Sequence, residues 1–165
     1  MRELAKNGAG FTVVTMRGYG TNKGKPGEAG FRKDIAVFID DWMQRKDRVP
    51  TDRLIVSGYS LGSANAAILA SELTKRGEFP AVLGLANGPS SMVWRGKEYI
   101  DEFLRTTEHP KLKGLTIPEK VVKTILEHPF NTEERLAELK PLTHVCIGYS
   151  SHDEITNTLH SNQLA

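Results

Sequence analysis

Cysteine is almost missing from this sequence: Cys146 is the only one in 165 residues, so no disulfide can form within the chain. A single thiol fits a reducing compartment. Long apolar runs are missing too. None approaches the ~20 residues that cross a bilayer, and Met1 to Lys6 has no apolar core of a secretory leader. No membrane span is expected, and a cytoplasmic location is. Nor is there a block of one charge. The 22 basic and 20 acidic residues are interspersed and leave a formal charge of +2, so no stripe tracks a phosphate backbone and no nucleic-acid partner is expected. Neither an H-E-x-x-H pattern nor a cysteine pair is present. His152, Asp153 and His160 are the nearest approach to a ligand set and are read as loop polar groups, so neither a metal nor another cofactor is expected. Repeats and low-complexity stretches are absent as well.

What is present is an ordinary globular composition, 39% hydrophobic and 25% charged, enough for one domain over 1–165. Phe11 to Met16 is a β-branched run that Arg17-Gly18-Tyr19-Gly20 breaks, so a strand and then a loop are predicted. From Phe31, apolar residues recur at Ile35, Phe38, Ile39, Trp42 and Met43, the stripe of a helix packed on a sheet. Leu54 to Ser57 suits a parallel strand covered on both faces. Ala64 to Leu73 is an alanine-rich helix ending near Arg76-Gly77, and Ala81 to Leu85 gives a third strand.

Between Pro89 and Pro141 the pattern turns to polar helices, with capping signals at Thr116-x-x-Glu119 and Asn131-x-x-Glu134. Residues 90–142 are therefore read as a helical cap insertion. His144 to Tyr149 is a fourth strand, and a polar loop with Asp153 and a helix from about Asn157 follow. Strands alternating with helices predict an α/β fold, a mostly parallel sheet with flanking helices.

The chemistry centres on Gly58-Tyr59-Ser60-Leu61-Gly62, between an apolar strand and an alanine-rich helix. That strand, turn and helix setting is what a nucleophile elbow needs. A sharp turn strains the serine backbone, and a Cβ two residues to either side is expected to collide with strand or helix. Gly58 and Gly62 are read as removing those collisions. The helix behind Ser60 aims its N-terminal amides at the reacting centre, with the Leu61 amide placed to donate to an oxyanion. The plainer reading is a serine that only caps the helix. A phosphate loop at Gly18 to Pro26 is rejected, because the first spacing is wrong and Pro26 stands where a hydroxyl residue would bind Mg²⁺. Trp94 and Tyr99 could line an acyl pocket or pack the cap onto the sheet.

Together these segments resemble the α/β-hydrolase superfamily, in particular its lysophospholipase-like, acyl-thioesterase-like and serine-peptidase-like branch. Arg17-Gly18-Tyr19-Gly20 and Gly24-Lys25-Pro26 match that branch's R-G-Y-G-x-S-x-G-x-P loop, with Asn22 where the family has serine. Asp34 matches an acid common on the following helix. The resemblance implies a partial α/β-hydrolase fold and a serine hydrolase in which Ser60 attacks an ester, thioester or amide carbonyl of a small acyl or peptide substrate. It further implies that Leu61 gives one oxyanion amide and that Asp153 is the triad acid. The family's histidine lies after a further helix and strand, and twelve residues follow Asp153. His109, His128, His144, His152 and His160 do not match its place. This short form is therefore expected to be inactive or impaired. Two other readings stay open. One is a non-catalytic hydrolase-like binding or interaction protein; the other is a chain completed by self-association or by a partner that pairs with its sheet.

Overall fold

The computed structural model describes residues 6–125, 130–139 and 141–150. Among them three strands form one parallel sheet in the order β1-β2-β3. β1 is Ile55–Tyr59, β2 Val82–Ala86 and β3 His144–Gly148. In register, Ile55 pairs with Val82 and Val82 with His144, while Tyr59 pairs with Ala86 and Ala86 with Gly148. Five helices accompany them: α1 (Glu28–Gln44), α2 (Leu61–Lys75), α3 (Met92–Thr106), α4 (Glu119–Ile125) and α5 (Thr132–Ala137). A single 3-10 turn at Thr51–Arg53 leads into β1.

The apolar stripe of α1 goes where its spacing sends it. Phe31, Ile35 and Ile39 are buried, and Phe38, Trp42 and Met43 pack partly buried against the same core. Each fully buried side chain of this size contributes about 1.5–3 kcal/mol. The small residues of α2 let it lie close: Ala64, Ala66, Ala67 and Ala70 are buried, with Ile68 and Leu73, over Val56, Leu83 and Leu85 of the sheet. α2 ends in a Schellman motif, with the Glu78 amide donating to the Leu73 carbonyl and the Gly77 amide to that of Thr74, both at 3.0 Å.

Three expectations fail. Phe11 to Met16 is not a strand, since no other described segment pairs with it; a β-branched run needs a neighbour to complete a ladder. Among the described residues nothing covers the second face of β1. Ile55 and Tyr59 are each 67% exposed, and their face continues through Cys146 of β3, which is exposed too. Among the described residues only the face under α2 is covered, because α1 and α2 both pack on that side. Thr116 caps no helix, because α4 begins three residues later at Glu119 and the Pro118 carbonyl takes the first helical bonds. Asn131 does cap α5, its side-chain oxygen accepting from the Glu134 amide.

Polar anchors tie the later segments to this core. The buried carboxylate of Glu28 accepts from the Phe130 amide at 2.8 Å and from Arg32 Nη2 at 2.6 Å. Phe130 stacks at a tilt on Phe31, their ring centres 5.8 Å apart. Thr132 donates through its amide to the Ser90 carbonyl and through its hydroxyl to that of Pro89. Beyond α5, Glu138 accepts from Ser71 of α2 and pairs with Lys75 and Arg135. Burial opposes ionisation of Glu138, but these three donors outweigh it and hold the carboxyl at about 2.

Candidate active site

Ser60 stands at the junction of β1 and α2, with φ 52° and ψ −124°. Such a backbone costs of order 1–3 kcal/mol in a residue with a side chain and persists only where its surroundings over-determine it. Here they do. The Ser60 amide donates to the Ala86 carbonyl at the end of β2 (2.9 Å), and the Ser60 carbonyl accepts from the Ser63 amide (2.9 Å). Ser63, fully buried, donates its hydroxyl within reach of both Gly58 and Ala86 carbonyls, at 2.9 and 3.0 Å. Strand ends and helix start are thereby pinned on either side of Ser60.

The two elbow glycines differ. A Cβ on Gly58 would lie 2.0 Å from the Gly62 carbonyl oxygen, a collision no side chain can make. A Cβ on Gly62 would meet nothing within 4 Å, so the collision expected there is not found. The first turn of α2 lies against Gly58, whereas Gly62, itself in that turn, faces open space. Gly88 is crowded too: a Cβ there would fall 2.4 Å from that of Ser63.

Ser60 is half-buried, and among the described residues no group hydrogen-bonds its hydroxyl. Leu61 opens α2, so its amide has no intrahelical acceptor and adds to the positive end of the helix dipole behind Ser60. The Ser60 hydroxyl and the Leu61 amide thus belong to adjacent residues of the same turn.

Asn87, which the sequence reading passed over, organises the rest of this edge. It has φ 48°, a conformation asparagine tolerates better than most residues. Its amide donates to the Gly148 carbonyl (2.8 Å), and its side-chain oxygen accepts from the Ser150 amide (2.9 Å). Its side-chain nitrogen reaches the Tyr59 hydroxyl at 3.4 Å. The ends of all three strands and the exit from β3 are joined through this one residue. The Asn87-Gly88-Pro89 sequence was the available signal, a turn signature directly after an apolar run.

The Arg17 loop holds together by its own bonds. Arg17 grips Asp34 through its amide and guanidinium, and this hydrogen-bonded pairing lowers the Asp34 carboxyl and raises the Arg17 guanidinium. Asn22 donates to the Thr15 carbonyl at 2.6 Å and accepts the Gly18 amide at 3.0 Å, so the residue that departs from the family pattern still closes the loop.

The expected site comes together only in part. Ser60, Leu61, Gly58 and Gly62 form one turn. Asp153, His128, His152 and His160 lie outside the described residues, as does the side chain of Trp94; Tyr99 is exposed, with Arg95 over its ring at 4.1 Å. His144 pairs in register with Val82 and Ile55 and so sits at the other end of the sheet, about 15 Å away at ~3.3 Å per strand residue. It cannot serve Ser60. A cleft of about 580 Å³ lies at that far end, lined by Arg48, Thr51, Glu78 and His144. The groove beside the elbow, about 540 Å³, runs along the open sheet face past Ser57, Tyr59, Gly84 and Cys146. Among the described residues no group of His, Cys, Asp and Glu could hold a metal ion.

A parallel sheet with a strained serine between strand and helix is the arrangement of the α/β-hydrolase fold. The comparisons agree. A solved α/β-hydrolase from Vibrio vulnificus superposes with a TM-score of 0.57 over 90% of this chain and 57% of its own, at 20% identity, which speaks for the fold. By sequence the chain is similar to the lysophosphatidylserine lipase ABHD12 of Danio rerio, 35% identical over 99 residues (52% of this chain, 25% of the relative). It is similar also to the α/β-hydrolase domain-containing protein WAV2 of Arabidopsis thaliana, 33% identical over 81 residues (45% and 26%). A shorter match, 50% identical over 44 residues, is to a Gallus gallus lipoprotein lipase, of which it covers 9%. No family model matches. Fold and relatives alike are of the α/β-hydrolase type, and the chain spans about a quarter of the length of the first two relatives.

Proposed function

We propose that this chain carries the nucleophile of a serine hydrolase acting on an ester, thioester or amide carbonyl. The observation that carries the reading is Ser60: a non-glycine residue at φ 52°, at the C-terminal end of a parallel strand and directly before a helix N-terminus. A strained serine so firmly pinned supports a role in which its hydroxyl is presented to a substrate. In this reading Ser60 Oγ attacks the acyl carbonyl and its proton passes to a base, which returns it to the alcohol, thiol or amine that departs as the ester, thioester or amide bond breaks. The oxyanion accepts from the Leu61 amide, and water then releases the acyl group. Asp153 is the proposed acid that would orient a histidine base. An acyl substrate is favoured by the lipases among the relatives. Residues 90–142, as a helical cap, would help to select it.

The test is the intact mass of the purified chain after exposure to a fluorophosphonate, with Ser60→Ala as control. A single adduct on the natural chain and none on the variant supports the proposal, and requires a base to be in reach of Ser60. A folded chain that takes up no adduct overturns it and leaves a hydrolase-like binding protein.

A further inference from the structure

We propose that the turn joining α3 to α4 docks on the surface of an anionic lipid bilayer. α3 starts at the core, against which Met92 packs, and beyond that α3 and α4 pack on each other. Leu104 and Val122 are buried, and the chain between the helices is built rather than slack. The amides of Leu112 and Lys113 donate to the His109 carbonyl at 3.0 and 3.1 Å, that of Leu115 to Leu112 at 3.1 Å, and that of Gly114 back to Leu104 at 2.9 Å.

This turn holds apolar side chains out in water. Leu112 is 37% exposed and Leu115 53%, with Phe103 in the last turn of α3 at 58% and Val121 in the first turn of α4 at 44%. All four lie at one end of the helical pair. Scattered exposed hydrophobics need no explanation, but four gathered at one tip do.

Charge selects the occupant. From Glu108 to Lys123 four lysines (Lys111, Lys113, Lys120, Lys123) face two glutamates (Glu108, Glu119), a net +2 in one short segment that equals the formal charge of the whole chain. Lys111 and Lys113 bracket Leu112 and have no ion-pair partner among the described residues. Lysine stems lie along an apolar boundary while their ammonium groups stay in water. Apolar side chains entering the headgroup boundary, with lysines at the lipid phosphates, satisfy both features at once.

The experiment is co-sedimentation of the full chain with vesicles of phosphatidylcholine mixed with phosphatidylglycerol, and with phosphatidylcholine alone. Binding to the anionic vesicles is expected, weakening about tenfold as salt shortens the range of the lysine charges. Both the Leu112→Ser/Leu115→Ser and the Lys111→Glu/Lys113→Glu pairs should lower it by about tenfold or more. Val37→Ser, which removes an exposed apolar side chain on α1, should leave it unchanged. Far-UV circular dichroism confirms that each variant is folded. No binding to anionic vesicles, equal binding to both vesicle types, or equal binding by the leucine pair and Val37→Ser overturns the proposal.

Discussion

Two glycines that look alike on paper separate once folded. At Gly58 a methyl group would enter the Gly62 carbonyl, and neither strand nor helix start can yield without moving Ser60. Gly58→Ala is expected to destabilise by about 3 kcal/mol or more, at the upper end of overpacking costs. Gly62→Ala places its methyl in open space and removes a glycine from the first turn of α2, so it should be neutral or stabilise by about 0.5–1 kcal/mol. Urea midpoints of the two variants decide the matter; equal losses would mean that the Gly62 position is covered. Asn87 belongs to the same scale. Asn87→Ala gives up the bond to the Ser150 amide and leaves an alanine at φ 48°, a loss of about 1–3 kcal/mol. Asn87→Gly relieves the backbone and should lose less.

Among the elements, α2 is the one on which the others converge. It covers the sheet, supplies the amides behind Ser60, contacts α1, and takes α5 through Ser71 and Glu138. That last anchor titrates. With the Glu138 carboxyl held at about 2, below its ordinary 4.5, the folded state favours the ionised form. Its stabilisation is fully present above the ordinary value and is lost as pH falls from about 4.5 towards 2. Glu138→Gln should therefore be less stable than the natural chain near neutrality, and the gap should close through that acid range. A gap that stays constant with pH would mean that the carboxylate is not what holds α5.

Across the whole molecule, the open sheet face is the feature that most needs testing. Ser57, Gly84 and Cys146 stand side by side on it, small residues that leave room for something to lie close. Cys146 is a built-in reporter, being the chain's only thiol and exposed. A disulfide reagent should react with it at a rate close to that of the unfolded chain. Reaction slowed tenfold or more until denaturant is added would show the face to be covered in solution, by another segment or a second copy.

Residue order by itself determined much of this protein. Helical spacing from Phe31 to Met43 is a property of local geometry, and alanines after a G-x-S-x-G fix the helix behind the turn, so α1, α2 and the elbow were legible. The apolar runs that became β1, β2 and β3 were legible for the same reason. Tertiary structure decided what depends on neighbours. Whether Phe11 to Met16 is a strand depends on a partner for its ladder, and which face of β1 is covered depends on the side where α2 packs. Which glycine is indispensable depends on what lies across from its missing Cβ. The role of Asn87 needed three strand ends brought to one edge, and no spacing along the chain carries that information, because register is fixed only when the sheet assembles.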